Sequence, residues 1–133
     1  MSKKISWISN IAIGITWIYQ GLIPKIIFTH PQEVAMVEHN GYFTTEQSIN
    51  IVVFAGVLEC FFGLLFIITQ KYNFLHFLNI LALSVLLVSA FLIENSLFIF
   101  PFNPPTLSIT MVALSLISLE CNKMERCNEK SSL

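Results

Sequence analysis

Charge is what this sequence has least of. Only 11% of its 133 residues are charged, while 55% are hydrophobic. Soluble domains carry about a quarter charged residues, so an ordinary water-soluble globule is excluded. A net charge of −1 says nothing about nucleic acid, but the seven basic residues form no patch that would support it, so no nucleic-acid partner is expected. Cysteine is scarce as well. Of the three, Cys60 lies inside an apolar run, and Cys121 and Cys127 stand in a segment without histidine, at a spacing that does not hold zinc. They read as free thiols. His30, Glu33, Glu38 and His39 are loosely spaced on a polar stretch, so no metal site is expected. His76 has no opposing histidine at its own depth to share a haem. No glycine-rich dinucleotide loop and no pair of membrane cysteines is present. A secretory signal is also missing its last part. Lys3 and Lys4 precede apolar residues 5–15, but Trp17, Tyr19, Gln20 and Pro24 follow where a small-x-small cleavage site belongs. This stretch reads as a retained first helix.

What the chain does have is oil, in four runs: 5–28, 49–69, 74–93 and 107–119. About 20 apolar residues span a bilayer core about 30 Å thick, because each residue of a helix rises about 1.5 Å. The first three runs reach that length. The pattern predicts an all-α protein, a four-helix transmembrane bundle in a single domain, residues 1–133, with helices over about 5–28, 49–69, 74–93 and 105–121. The basic residues set the threading. Lys3, Lys4, Lys71, Lys123, Arg126 and Lys130 fall on one side of four crossings. The other side has Glu33, Glu38, Glu46 and Glu94, with Lys25 its only cation. By the positive-inside rule both termini are cytoplasmic.

In the first helix Asn10, Gly14, Trp17, Gly21, Lys25 and Phe28 recur at helical spacing on one face. Gly14 and Gly21 permit another helix to come close. Pro24 cannot bond to the carbonyl of Gln20, so a bend is expected there. Lys25 either snorkels to the outer interface or turns inward to an acid. After Pro31 a short helix over 32–38 is expected, closed at Asn40-Gly41. Thr44 with Gln47 then matches a capping box. Glu59 stands near the middle of the second apolar run, with Gly56, Gly63 and Cys60 around it. A carboxylate at that depth costs about 2.5–3.5 kcal/mol on insertion scales, so it must face the bundle and find a partner. Lys25 is the natural one. Antiparallel helices leave the two about 9 Å apart in depth, which the bend at Pro24 and the lysine stem can close. The pair serves either as a functional polar site or as a buried lock on the bundle. Asn79 and Ser89 are the polar positions of the third helix, and Ser108, Ser115 and Ser118 mark the inward face of the fourth. Pro101, Pro104 and Pro105 forbid a regular helix before it. Residues 100–105 therefore either cover the outer mouth, bringing Asn103 toward Lys25 and Glu59, or lie in the interface with their phenylalanines as anchors.

Three stretches then carry a resemblance. Gln20-Gly21-Leu22-Ile23-Pro24-Lys25 resembles the signature that ends helix one in the DoxX-like family of small bacterial membrane proteins. Glu59-x-x-x-Gly63 is similar to that family's second-helix motif, and Pro101-Phe102-Asn103-Pro104 with Thr106-Leu107 to the segment before its fourth helix. The resemblance spans nearly the whole chain. It implies a multi-pass protein of the bacterial inner membrane. It also implies a redox-accessory role, since the wider group includes the small subunit of a thiosulfate:quinone oxidoreductase and membrane partners of redox enzymes. Three functions follow. One is a structural or redox-accessory subunit, an anchor for a soluble or membrane oxidoreductase. The second is a quinone-binding subunit whose polar site is Lys25, Glu59 and Asn103, with an aromatic mouth of Trp17, Phe28, Phe100 and Phe102. The third is a small proton-coupled transporter using Glu59, which four helices enclose only as an oligomer. Catalysis by the chain alone is not indicated. If electrons pass, the cofactor is a bound quinone or belongs to a partner.

Overall fold

The computed structural model describes residues 2–39, 41–69, 72–93 and 104–131, and every regular element among them is helical. Helix α1 covers Ser2–Gln20 and runs on into a π-helical stretch, Gly21–Ile27. A short α2 follows over Pro31–Glu38, then α3 over Thr45–Ile68, α4 over Asn73–Ile93 and α5 over Pro104–Ser131.

The local signals work as chemistry predicts. His30 caps α2, its Nδ1 accepting from the Gln32 N–H at 3.3 Å, and Pro31 takes the first helical position, where no donor is needed. Gly41 lies beyond the end of α2 with φ +67°, a conformation open to glycine at no steric cost, and its N–H bonds the Glu38 carbonyl at 2.8 Å. At the start of α3 the capping box closes in both directions. Gln47 N–H donates to Thr44 Oγ1 at 3.4 Å, and Thr44 N–H to Gln47 Oε1 at 3.0 Å.

Thr45–Ile68 and Pro105–Asn128 are each long and apolar enough to cross a membrane. Ser2–Ile27 and Pro31–Glu38 meet the same test only together, and they are bent by 85° at the break between them. α4 is apolar over Asn73–Ser89. In the most apolar window of α3 only 22% of the residues are buried within the protein. Phe54, Phe61 and Leu64 are exposed on its surface. A helix that is oily on the outside is one whose solvent is hydrocarbon.

The fourth helix differs from expectation. It does not stop near Cys121 but continues to Ser131. Apolarity ends at Leu119, yet Glu120, Lys123, Met124, Glu125 and Arg126 are good helix formers and neither Gly nor Pro interrupts them.

The chain divides into two compact units, residues 14–65 and residues 1–13 with 66–133. In the second unit, small polar side chains join the helices. On α5, Ser115 accepts from Asn79 Nδ2 at 2.8 Å, and Ser118 donates to Asn10 Oδ1 at 3.0 Å. Ser118 also pairs with Ser6 at 2.8 Å. Ser6 donates to Asn122 at 3.1 Å, Asn122 to Asn73 at 3.1 Å, and Ser2 to Glu125 at 2.8 Å. Ser108, Ser115 and Ser118 are all buried, as their spacing predicts. These bonds also hold the polar end of α5 against the start of α1. His76 is buried beside Phe66, ring edge to ring face at 5.3 Å.

Ser118→Ala removes two of these bonds at once. Hydrogen bonds between membrane helices contribute about 0.6 kcal/mol on average and at most about 1.7 kcal/mol, so a loss of about 1 kcal/mol is expected. Thermal unfolding in lipid discs measures it, and an unchanged midpoint would deny the seam any share in stability.

Candidate functional site

Residues 14–65 bring α1, the π-helical stretch, α2 and α3 together. α1 and α3 run antiparallel with glycine opposite glycine. A Cβ built on Gly56 would lie 2.7 Å from the Gly21 carbonyl oxygen, and one on Gly63 would lie 2.5 Å from that of Gly14. A Cβ on Gly21 would collide in turn with the carbonyl of Gly56. No other residue type fits at these three positions without parting the helices. With only hydrogens in between, the backbones reach a distance at which Cα–H···O contacts and dispersion hold them. Trp17, buried, packs edge to face on Phe62 with ring centroids 5.3 Å apart. Cys60 Sγ donates to the Ile18 carbonyl at 3.6 Å.

Pro24 lies inside the π-helical stretch. In an α-helix its ring would strike the carbonyl of Gln20 and leave it without a donor. Widening the turn lets the chain pass the proline without stopping. Phe28 N–H bonds the Ile23 carbonyl, five residues back, at 3.1 Å. The expected bend is thus expressed as a local change of helix type, a device frequent at functional sites. Two residues past the end of the stretch stands Thr29, whose φ of +40° is rare for a β-branched residue. The His30 N–H then closes on the Pro24 carbonyl at 2.7 Å. The chain turns there, and α2 departs at 85°.

Lys25 is placed by this geometry. Its Cβ would be 2.8 Å from a Cβ on Gly56, so the missing side chain of Gly56 makes room for the lysine stem. Glu59 is three residues further on, about one turn of α3. Lys25 Nζ donates to Glu59 Oε1 in a direct ion pair. The side chains are each 12% exposed, so the pair is largely withdrawn from solvent. Lys25 turns inward and does not snorkel. Glu33, from the first turn of α2, is a second carboxylate 3.8 Å from Nζ. The other oxygen of Glu59, Oε2, is buried with no hydrogen-bond partner among the described residues. One cation thus serves two carboxylates, and one acceptor stays open.

Of the sequence-predicted site residues, Lys25, Glu59, Gly21 and Gly56 meet in this one place, with Pro24 in the same widened turn, while Gly63 lies further along the crossing against Gly14 and Ile18. Pro104 is the first residue of α5. Asn103 and Pro101 lie outside the described residues, as do Phe100 and Phe102. Phe28, expected at an aromatic mouth, is 70% exposed. The widened turn carries it away from the inward face that regular helical spacing assigned to it. Glu33 is the member that spacing did not pair with Lys25. Its nearest signal is Pro31, which starts a new helix that returns the chain toward Lys25.

Outward apolar helices around a buried ion pair define a helical membrane protein. The model of the DoxX-like family matches residues 14–116, which takes in this whole site. The chain belongs to the DoxX-like family. No curated protein and no solved structure matches it.

Removing one partner of a buried pair costs about 3–5 kcal/mol, because a charge is left alone, whereas replacing both with apolar residues is often neutral. Lys25→Met is therefore expected to destabilise the protein strongly, and Lys25→Met with Glu59→Leu to recover most of the loss in the same unfolding measurement. Gly56→Ala presses on both the Gly21 carbonyl and Lys25. A loss of about 1–3 kcal/mol is expected, and a wild-type midpoint would contradict the tight crossing.

Proposed function

We propose that this protein is a multi-pass protein of the bacterial inner membrane, a four-helix bundle with both termini cytoplasmic. It serves a redox enzyme as a membrane accessory subunit. The Lys25–Glu59 site receives the polar head of a small lipophilic ligand, a quinone or quinol. One observation carries the reading: Glu59 is buried with one oxygen on Lys25 and the other unpartnered. A buried acceptor without a donor costs about 1–3 kcal/mol, and a quinol hydroxyl would satisfy it. The lysine ammonium, with three donors, retains capacity for a quinone carbonyl. Membership of the DoxX-like family supports the membrane setting. The cluster of basic residues at 123, 126 and 130, with Lys3 and Lys4, supports the threading.

A second reading has its own support. Gly21, Gly56 and Gly63 admit no side chain between α1 and α3. A contact that tight suits a pair whose whole role is to lock two helices.

The two separate by mass spectrometry of the protein extracted with its surrounding lipid. A quinone at one per chain, lost in Glu59→Gln, is the expected result. A protein carrying only phospholipid, together with a Lys25→Met/Glu59→Leu variant that keeps its cellular function, would overturn the ligand reading in favour of the lock.

A further inference from the structure

A groove of about 700 Å³ lies between α4 and α5, in the unit formed by residues 1–13 and 66–133. Its character changes along its length. Phe77 of α4 and Leu116 and Leu119 of α5 line one part, Lys123 and Arg126 another. On α5 the residues at 116, 119, 123 and 126 follow at three- and four-residue steps, so they form one stripe. The change from apolar to cationic takes about one helical turn, about 6 Å.

Phe77 and Leu116 are 61% and 53% exposed, so their apolar surface is offered to whatever surrounds the helix. The ion pairs found among the described residues all belong to Lys25. Lys123 and Arg126, both exposed, are in none of them. Glu120 also borders the groove. It offsets one of the two positive charges and leaves the rim with a net positive charge.

We propose that this groove binds an anionic phospholipid, with an acyl chain along Phe77, Leu116 and Leu119 and the phosphate on Lys123 and Arg126. The order of surfaces matches the order of the molecule, hydrocarbon first and anion one turn later. The guanidinium of Arg126 suits a phosphate in particular, since its planar fork bonds two oxygens at once. Basic pockets between helices at the cytoplasmic face are where lipid phosphates bind. The site rests on the membrane setting and the threading proposed above, and is independent of the Lys25–Glu59 pair.

Cys127 borders the groove and is exposed, whereas Cys121 is buried and Cys60 half-buried. It is therefore a built-in reporter. The full chain is placed in discs of phosphatidylcholine alone or with cardiolipin. Retained lipid is read by native mass spectrometry, and access to Cys127 by its rate of maleimide labelling. Cardiolipin is expected to be retained selectively and to slow labelling of Cys127. Lys123→Gln with Arg126→Gln is expected to weaken retention about tenfold or more, at about 1 kcal/mol for each basic residue near the surface. Lys3→Gln with Lys4→Gln removes the same charge from the neighbouring start of α1, outside the groove lining, and is expected to weaken retention clearly less. Equal losses in the two double variants would overturn the site in favour of diffuse attraction. So would protection of Cys127 by inorganic phosphate in phosphatidylcholine discs, which would make it a free-anion site. Failure to co-float with either disc would overturn the proposal together with the membrane setting. Co-flotation without lipid selectivity overturns the proposal alone.

Discussion

A lysine and a glutamate withdrawn from water are tolerable only in contact. Each carries a desolvation cost of several kcal/mol that their attraction offsets only at good geometry. Much of the unit formed by residues 14–65 follows from that requirement. Contact between Lys25 and Glu59 needs the backbones of α1 and α3 nearly touching, and that needs glycine at 21, 56 and 63. It also needs the lysine aimed at Glu59 from a helix that holds a proline one residue earlier. The widened turn over Gly21–Ile27 meets both conditions, because it passes Pro24 and sets Lys25 over the gap left by Gly56. The positive φ at Thr29 is the strained end of the same device.

Both units answer one physical problem in different ways. Hydrocarbon gives helices no hydrophobic reason to associate, so specificity has to come from close packing or from polar contacts. Residues 14–65 use glycine and a single ion pair. The other unit uses serine and asparagine, bonded from Ser2, Ser6 and Asn10 to α5 and from Asn73 and Asn79 to the same helix. α1 contributes to both, with its serines and Asn10 early and its glycines late. The large apolar residues that dominate the composition are largely turned outward. They fix the medium, and the few small and polar residues fix the partners.

That division explains what was legible beforehand. Charges inside apolar runs are rare, so Lys25 and Glu59 stood out and found each other as expected. Glycine seven residues apart on both helices is visible by counting. The capping box at Thr44 and Gln47 is a local rule with a local outcome. The misses are cases where a residue says what is forbidden without saying what replaces it. Pro24 forbids an α-helical bond, but a kink, a stop and a widened turn all satisfy that prohibition. The same change of turn set Phe28 outward, against a count that assumed regular helix. Glu33 depended on the angle at which α2 leaves, which no spacing encodes. The length of α5 was missed because the end of an apolar run marks the end of a hydrocarbon-facing surface, whereas a helix can continue into water on propensity and side-chain bonds.

The charge count at the site bears most on function. A lock between two helices is complete with one cation and one anion, each satisfied. Here one ammonium faces two carboxylates, and the better buried of them keeps an open oxygen. Glu33 repels Glu59 while it attracts Lys25, so it adds a second acid that the pairing of α1 with α3 does not need. Glu33 also comes from α2, a short helix joined through a strained turn, and it is more exposed than the pair itself. One ammonium with a buried acid on one side and a more exposed acid on the other is the arrangement on which the ligand reading proposed above rests, because Lys25 has a second carboxylate within reach while it holds Glu59.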